Sequence, residues 1–231
     1  MTEYISVLIP LYNGVEFLNQ SVNSVIKQTY KKWELIIGIN GHEQYSDIEN
    51  VVRNYIKSIN SDNIYDITVK YYNTKGKSQT LNEMTKDAKY NNIALLDVDD
   101  IWGDNKLEKQ SPYLNTYDVI GAKCIYFGNL NIVPTIPAGD ISNFDIFIKN
   151  PIINSCVIIK KEYAIWDEKE LTGLEDYDLW FKLFNLKKKI YNVPEILCYH
   201  RIHNSSCFNN SNTKYLDALK NKWQKIYNIK K

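Results

Sequence analysis

Residues 91–102 read NNIALLDVDDIW, an apolar run that ends in three carboxylates, Asp97, Asp99 and Asp100, within four positions. The run is short and unbroken by Gly or Pro, which fits a strand covered on both faces. Carboxylates crowded at its end repel one another unless a cation lies beside them. A buried strand finishing in an acidic cluster therefore points to an α/β sheet with a ligand crevice at its rim.

Upstream, YISVLIP (4–10), WELIIGI (33–39) and DITVKYY (66–72) read as further strands. Between them lie VEFLNQSVNSVIKQ (15–28), SDIENVVRNYIKSI (46–59) and SQTLNEMTKDAKY (78–90), read as helices. In the first, Phe17, Leu18, Val22, Val25 and Ile26 fall at helical spacing; in the second, Ile48, Val51, Val52, Tyr55 and Ile59 do. This alternation predicts βαβ units with right-handed crossovers and a mostly parallel, Rossmann-like sheet with helices on both faces. The turns LYNG (11–14), NGH (40–42), NTKGK (73–77) and DVDD (97–100) should then converge on one rim. Downstream the pattern loosens. DVIGAKCIYFG (118–128), SCVIIKK (155–161), KKIYNV (188–193) and ILCYHRI (196–202) are strand candidates of a smaller mixed region, and IVPTIPAGDIS (132–142) reads as a loop. EDYDLWFKLFN (175–185) places Tyr177, Trp180, Phe181 and Phe184 on one helical face, and TKYLDALKNKWQKIY (213–227) forms a last helix.

With 231 residues the chain suits one sizeable α/β domain. Its 28 basic and 27 acidic residues leave a net charge of +1, which gives no general attraction for nucleic acid or an anionic membrane. Cys124, Cys156, Cys198 and Cys207 form no CxxC pair and read as reduced thiols. No secretory signal pattern and no apolar run of membrane-spanning length is found, so a soluble, cytoplasmic protein without a transmembrane segment is expected.

Two acidic motifs each carry two readings. A DxD at a strand end can hold Mg²⁺ or Mn²⁺, which needs one or two protein carboxylates when it also binds substrate phosphates; alternatively Asp99 or Asp100 caps the next helix. In TGLEDYDLW, Thr172 and Glu175 fit a capping box, with Thr172 as N-cap and Glu175 at its third position. That leaves Asp176 and Asp178 unexplained. A first-turn carboxylate is held anionic by the helix dipole, as a general base requires, although the same effect weakens it as a base. His200 and His203 offer imidazoles, one of which could be a third ligand to a carboxylate-bound cation, and Lys75 and Lys77, around Gly76, could meet phosphate charge. Neither GxGxxG nor a Walker motif occurs.

These pieces together resemble the family 2 glycosyltransferases of GT-A fold, in the family's order over nearly the whole chain. ISVLIPLYNG with the helix and strand after it is similar to the family's opening. Asn73, Gly76 and Asn82 match its N-x-x-G followed by Asn. LLDVDDIW matches L-D-x-D-D-x-W, LEDYDLWFKL the E-D-x-D-L-W helix, and YHRIHNSS the late Y-R-x-H-x-x-S. The resemblance implies an inverting transfer from a nucleotide diphosphate sugar, a UDP-sugar favoured, to a glycan or other hydroxyl acceptor, with Mn²⁺ or Mg²⁺ as cofactor. It implies that Pro10, Tyr12 and Asn13 line the nucleoside pocket and that Asp97 approaches the ribose. Asp99, with Asp97 and His203, would hold the metal, and Asp176 would be the catalytic base. Lys75, Gly76, Lys77, Trp102 and Glu175 join the expected substrate-binding residues. Asn40 stands where many members carry an aspartate, and Leu81 where many carry an arginine, whose charge Lys75 or Lys77 would replace.

The expected organisation is one domain over 1–231. Residues 1–104 form a nucleotide-sugar half, 105–211 an acceptor half and 212–231 a C-terminal helix. Two other readings stay open: a non-catalytic nucleotide-sugar binding protein, and a phosphatase of the haloacid dehalogenase type. The latter places its D-x-D on the first strand, whereas here it follows the fourth.

Overall fold

In the computed structural model, residues 3–169, 173–204 and 213–229 are described. Strands β1 (Ile5–Leu11), β2 (Trp33–Asn40), β3 (Ile67–Tyr72) and β4 (Asn92–Leu95) pair in parallel in the order β3-β2-β1-β4. Helices α1 (Leu18–Ile26), α2 (Asp47–Ile59) and α3 (Lys77–Asp87) supply the crossovers. The unbroken apolarity of these strands has a direct cause. Val7 and Ile9 of β1 pack into one core with Val22 of α1 and Val52 of α2. Leu8 points the other way, into a second core with Leu81 and Met84 of α3. Successive side chains of a strand face opposite sides, so both sets must be apolar.

The sheet continues through β8 (Ile158–Lys160), β6 (Val119–Gly128), β9 (Ile190–Ile202) and β5 (Ile101–Trp102), with β7 (Gly139–Asp140) on β9. Here parallel and antiparallel pairs mix: β4·β8, β6·β8, β5·β9 and β7·β9 are antiparallel, and β6·β9 is parallel. The two strands expected at 188–193 and 196–202 are one strand. Register shifts between Ala122, Lys123 and Cys124 let β6 skip Pro194 and Glu195 and then Leu197; proline has no N–H for the ladder and is tolerated at a bulge. Part of the expected 132–142 loop pairs as β7.

A short α4 (Lys106–Gln110) follows β5, and α5 (Glu175–Asn185) and α6 (Thr213–Ile229) complete the second core. On α5, Tyr177, Trp180, Phe181 and Phe184 are all buried, as their spacing requires. No described helix is long and apolar enough to cross a membrane. Cys124, Cys156 and Cys198 are buried free thiols; Cys207 lies outside the described residues.

Candidate active site

The turns after β1, β2, β3 and β4 gather at the carboxyl ends of the parallel strands, the side on which open α/β sheets bind ligands. Gly14 has φ +87°, and a Cβ there would sit 3.1 Å from Val98 Cγ1, so the LYNG turn packs closely on the DVDD loop. At one end of the rim Tyr12, 54 % exposed, stacks on His42 with ring centroids 5.3 Å apart. His42 Nε2 bonds the Tyr12 carbonyl, and the Tyr71 hydroxyl donates to the His42 carbonyl at 3.1 Å. Pro10 is half-buried beside this corner, Asn13 is exposed, and Asn40 is buried at the end of β2. His42, in the NGH turn, carries no sequence signal of its own and emerges only from this packing.

The acidic loop is stabilised from several directions. Asp97 Oδ1 accepts from Lys77 Nζ at 2.5 Å, both Asp97 oxygens lie 3.3 Å from Asn154 Nδ2, and the Asp97 N–H donates to Ser155 Oγ at 3.1 Å. Burial alone would raise the Asp97 carboxyl, but Lys77 and Asn154 hold it below the usual carboxylate range. Lys77 leads the first turn of α3, whose N-cap is the exposed Gly76 at φ +92°; Lys75 beside it is exposed.

Asp100 does not start a helix. It is fully buried, and its carboxylate accepts from the Arg201 N–H at 2.7 Å and contacts His200 Nδ1 at 2.9 Å. Burial draws the His200 imidazole down, yet the Asp100 charge and hydrogen bond, with Asp97, push it up to about 9. Arg201 Nε donates to the Asp99 carbonyl at 2.8 Å while its guanidinium lies between the rings of Phe17 and Phe127, 4.5 and 4.3 Å from their centroids. The protein's own cations thus offset two of the three clustered carboxylates.

Asp99 is the third. Its Oδ2 lies 2.9 Å from His203 Nε2. Burial, with Asp100 and Asp97 adding to it, raises the Asp99 carboxyl above its ordinary value despite His203 and Lys77. A carboxylate crowded by like charges is a receptive donor for a divalent ion, and a carboxylate–imidazole pair suits Mn²⁺. Among the described residues no cluster of three or more His, Cys, Asp or Glu side chains forms a ligand cage. Asp99 and His203 therefore fit the expected metal, whereas Asp97 is engaged by Lys77.

Across the rim, Asp176 lies in the first turn of α5. Its Oδ1 accepts from the Tyr177 N–H at 2.7 Å and its Oδ2 from Asn150 Nδ2 at 3.4 Å. Burial pushes the carboxyl up, Lys77 draws it back and Glu175 adds to the rise, leaving it at about 6. Burial thus outweighs the helix N-terminus, and the group is a stronger base than its place in the first turn suggests. The N-cap of α5 is Leu174, with no side-chain cap, so Glu175 is the first helical residue rather than the third. Thr172, its expected partner, lies outside the described residues, as do Ser205 and Ser206 of the late motif. Asp178 is buried and turned away from the rim toward α6.

Trp102, expected among the substrate-binding residues, is a core residue. It is 1 % exposed, its indole N–H donates to the Ser155 carbonyl at 2.6 Å, and the Lys106 ammonium lies 4.0 Å from its ring centroid. Leu81 is likewise buried in the second core. Asn150, Asn154 and Ser155, which position Asp176 and Asp97, are unremarkable as a sequence; their roles arise from the segment before β8 crossing the rim.

The order of strands and the rim have a counterpart in known proteins. The family model described as Glycosyl transferase family 2 matches residues 6–143, more than half of the chain. The chain belongs to this family. It is 28 % identical over 213 residues to the Escherichia coli O-antigen biosynthesis glycosyltransferase WbnJ, covering 88 % of this chain and 82 % of that protein. It is also 28 % identical to the E. coli UDP-Glc:alpha-D-GlcNAc-diphosphoundecaprenol beta-1,3-glucosyltransferase WfgD, covering 96 % and 85 %. Other relatives are longer: the chain spans 34 % and 66 % of uncharacterized glycosyltransferases of Rickettsia conorii and Rickettsia typhi, at 27 % and 28 % identity.

Among solved structures, Staphylococcus aureus TarS in complex with UDP-GlcNAc superposes with a TM-score of 0.72 at 16 % identity, over 90 % of this chain and 61 % of that one. The mannosyltransferase PcManGT of Pyrobaculum calidifontis, in complex with GDP-Man and Mn²⁺, superposes at 0.67 with 13 % identity, over 90 % and 60 %. These likenesses establish the GT-A fold for the family 2 chain.

Proposed function

We propose that this family 2 chain is a glycosyltransferase that moves a sugar from a nucleotide diphosphate donor, a UDP-sugar favoured, to an acceptor hydroxyl with inversion at the anomeric carbon. The observation that carries this reading is the position of Lys77. Its ammonium is 2.5 Å from Asp97 of the acidic loop, and its charge also acts on Glu175 and Asp176 of α5. A donor-side carboxylate and a buried carboxylate of raised basicity thus share one rim, as a transfer between two bound substrates requires.

In this reading Tyr12, His42, Pro10, Asn13 and Asn40 border the nucleoside, and Asp97, kept ionised by Lys77, faces the ribose. Lys75 and the N–H groups behind Gly76 face the diphosphate. Asp99 and His203 would hold Mn²⁺ or Mg²⁺, which as a Lewis acid offsets charge gathering on the departing diphosphate. Asp176 takes the proton of the acceptor hydroxyl as that oxygen attacks the face opposite the leaving group. Asn150 holds the carboxylate toward the acceptor side; residues 1–104 serve the donor, 105–211 serve the acceptor and lend His203 to the donor's metal, and α6 braces the base helix. The glucosyl donor in the name of WfgD and the ligands of TarS support UDP-sugars, and the PcManGT complex supports Mn²⁺ with a GDP-sugar as the alternative donor. No observation favours the binding-module or phosphatase readings.

A thermal-shift screen with UDP-glucose, UDP-N-acetylglucosamine and GDP-mannose, each with and without Mn²⁺, tests the donor assignment, because a ligand that binds the native state raises its apparent stability. At a hundredfold excess over Kd the gain is about 2.7 kcal/mol. A metal-dependent rise with one nucleotide sugar is expected; no rise with any of them would remove the donor assignment.

A further inference from the structure

Asp178, the second aspartate of the EDYD motif, has no part in the rim. It is 4 % exposed and its Oδ1 accepts from Trp223 Nε1 at 2.6 Å and from Lys222 Nζ at 2.8 Å, both on α6. Lys222 also reaches Asp167 Oδ2 at 3.3 Å. The clasp closes one wall of a cavity of about 320 Å³ between α5, α6 and residues 165–167. Two charge-assisted hydrogen bonds onto one buried carboxylate, from adjacent residues of one helix, fix distance and direction more strictly than apolar packing does.

The clasp sits two residues from Asp176, in the same helical turn. Apolar contacts carry the same connection onward. The Trp223 and Phe181 rings lie parallel, with centroids 6.0 Å apart; Phe181 stacks on Tyr177 at 4.8 Å, and the Tyr177 hydroxyl donates to the Ile146 carbonyl at 2.6 Å. Tyr227 of α6 packs edge-on against Phe147 at 5.3 Å, beside the segment whose Asn150 holds Asp176. Helix α6 therefore braces both supports of Asp176, its own helical turn and the turn at 146–150 facing it, while touching neither the acidic loop nor the nucleoside corner through these contacts.

We propose that α6 is a positioning element for proton transfer: Lys222 and Trp223, through Asp178, fix the first turn of α5 and so the direction of the Asp176 carboxylate. This rests on Asp176 acting as the base. Displacement of a catalytic group by ~1 Å costs on the order of a hundredfold in rate, whereas donor binding is set by the other side of the rim. Loss of the clasp thus lowers kcat and spares donor affinity.

The test compares wild type with Trp223→Phe, which keeps a ring against Phe181 but removes the indole N–H, and with Lys222→Met. UDP release is followed with UDP-glucose or UDP-N-acetylglucosamine as donor and p-nitrophenyl glycosides as acceptors, donor affinity by calorimetry with Mn²⁺, and amide exchange across residues 173–185. Expected are a kcat at least tenfold lower, a donor Kd within twofold of wild type, and faster exchange at 175–178 than in α3. Unchanged kcat, or kcat and donor affinity falling together, would overturn the proposal, as would unchanged exchange at 175–178. If wild type and Asp176→Asn release UDP equally, the functional reading fails instead, and the exchange data still decide whether the clasp holds the turn.

Discussion

Replacing Asp100 by Asn should change how the stability of this protein depends on pH. In the folded chain the His200 imidazole is pushed from 6.5 to about 9 by the buried Asp100 carboxylate. Between those values the native state keeps a proton that the unfolded chain has released. The stabilisation is therefore complete below pH 6.5 and is lost as pH rises through 9. At ~1.4 kcal/mol per pH unit this pair contributes about 3 kcal/mol at pH 6; the His200 side chain is 21 % exposed, so this is an upper figure. In Asp100→Asn the amide oxygen still accepts from the Arg201 N–H, and its NH₂ donates to a neutral His200, but the charge pairing is gone.

Urea unfolding at pH 6, 7, 8, 9 and 10 is the assay. The variant should be less stable by about 3 kcal/mol at pH 6, a drop in Tm of roughly 6–12 °C for a chain of this size, and the gap should narrow by pH 10. Lys106 titrates the opposite way in part of this window. Burial lowers its ammonium from 10.5 to about 8, so stability rises with pH between those values. Only the difference between wild type and variant isolates the Asp100–His200 pair. A gap that stays constant from pH 6 to 10 would refute the coupling.

Three further outcomes follow from the rim. Asp176→Asn should abolish transfer while leaving donor affinity within about twofold, and the wild-type rate should fall roughly tenfold from pH 7 to pH 5, as a base titrating near 6 is protonated; a flat profile would remove the base assignment. Lys77→Met should move that acid limb to higher pH, because Lys77 is what draws Asp176 down; an unmoved or lowered limb in steady-state rates would count against the shared rim. His203→Ala and Asp99→Ala should weaken nucleotide-sugar binding in the presence of Mn²⁺ and leave metal-free binding little changed, as titration calorimetry would show; equal losses with and without metal would sink the ligand role.

The first four strands and three helices were legible because burial on both faces forces an unbroken apolar signature, and helices packed on one side force a helical one. The strands β5 and β7, two residues each, are too short to carry a period. The bulge that makes 190–202 one strand is equally silent, since proline in a sequence reads as a break. At the site, the spacing within NNIALLDVDDIW located the acidic loop but not what offsets it. Asp100 looked like a helix start because nothing within ten residues reveals a partner a hundred residues away. Trp102 looked available because aromatic residues mark both cores and sugar sites, and only the Ser155 carbonyl and Lys106 identify it as core. Asp178 was unreadable for the same reason: its two donors lie on α6.

The dependence of the acidic loop on the end of β9 also constrains the order in which this chain can mature. His200 and His203 meet Asp100 and Asp99 across 100 and 104 residues of sequence. During synthesis from the N-terminus, the four parallel strands emerge long before those partners exist. Until residue 203 follows, Asp99 and Asp100 lack them, and the loop has reason to stay hydrated and open rather than settle against Gly14 and Ser155. A fragment ending near residue 104 would carry Asp97, Asp99 and Asp100 in sequence without the partners that arrange them. In the proposed division the two halves differ in role, yet the second must fold for the first to take its final shape.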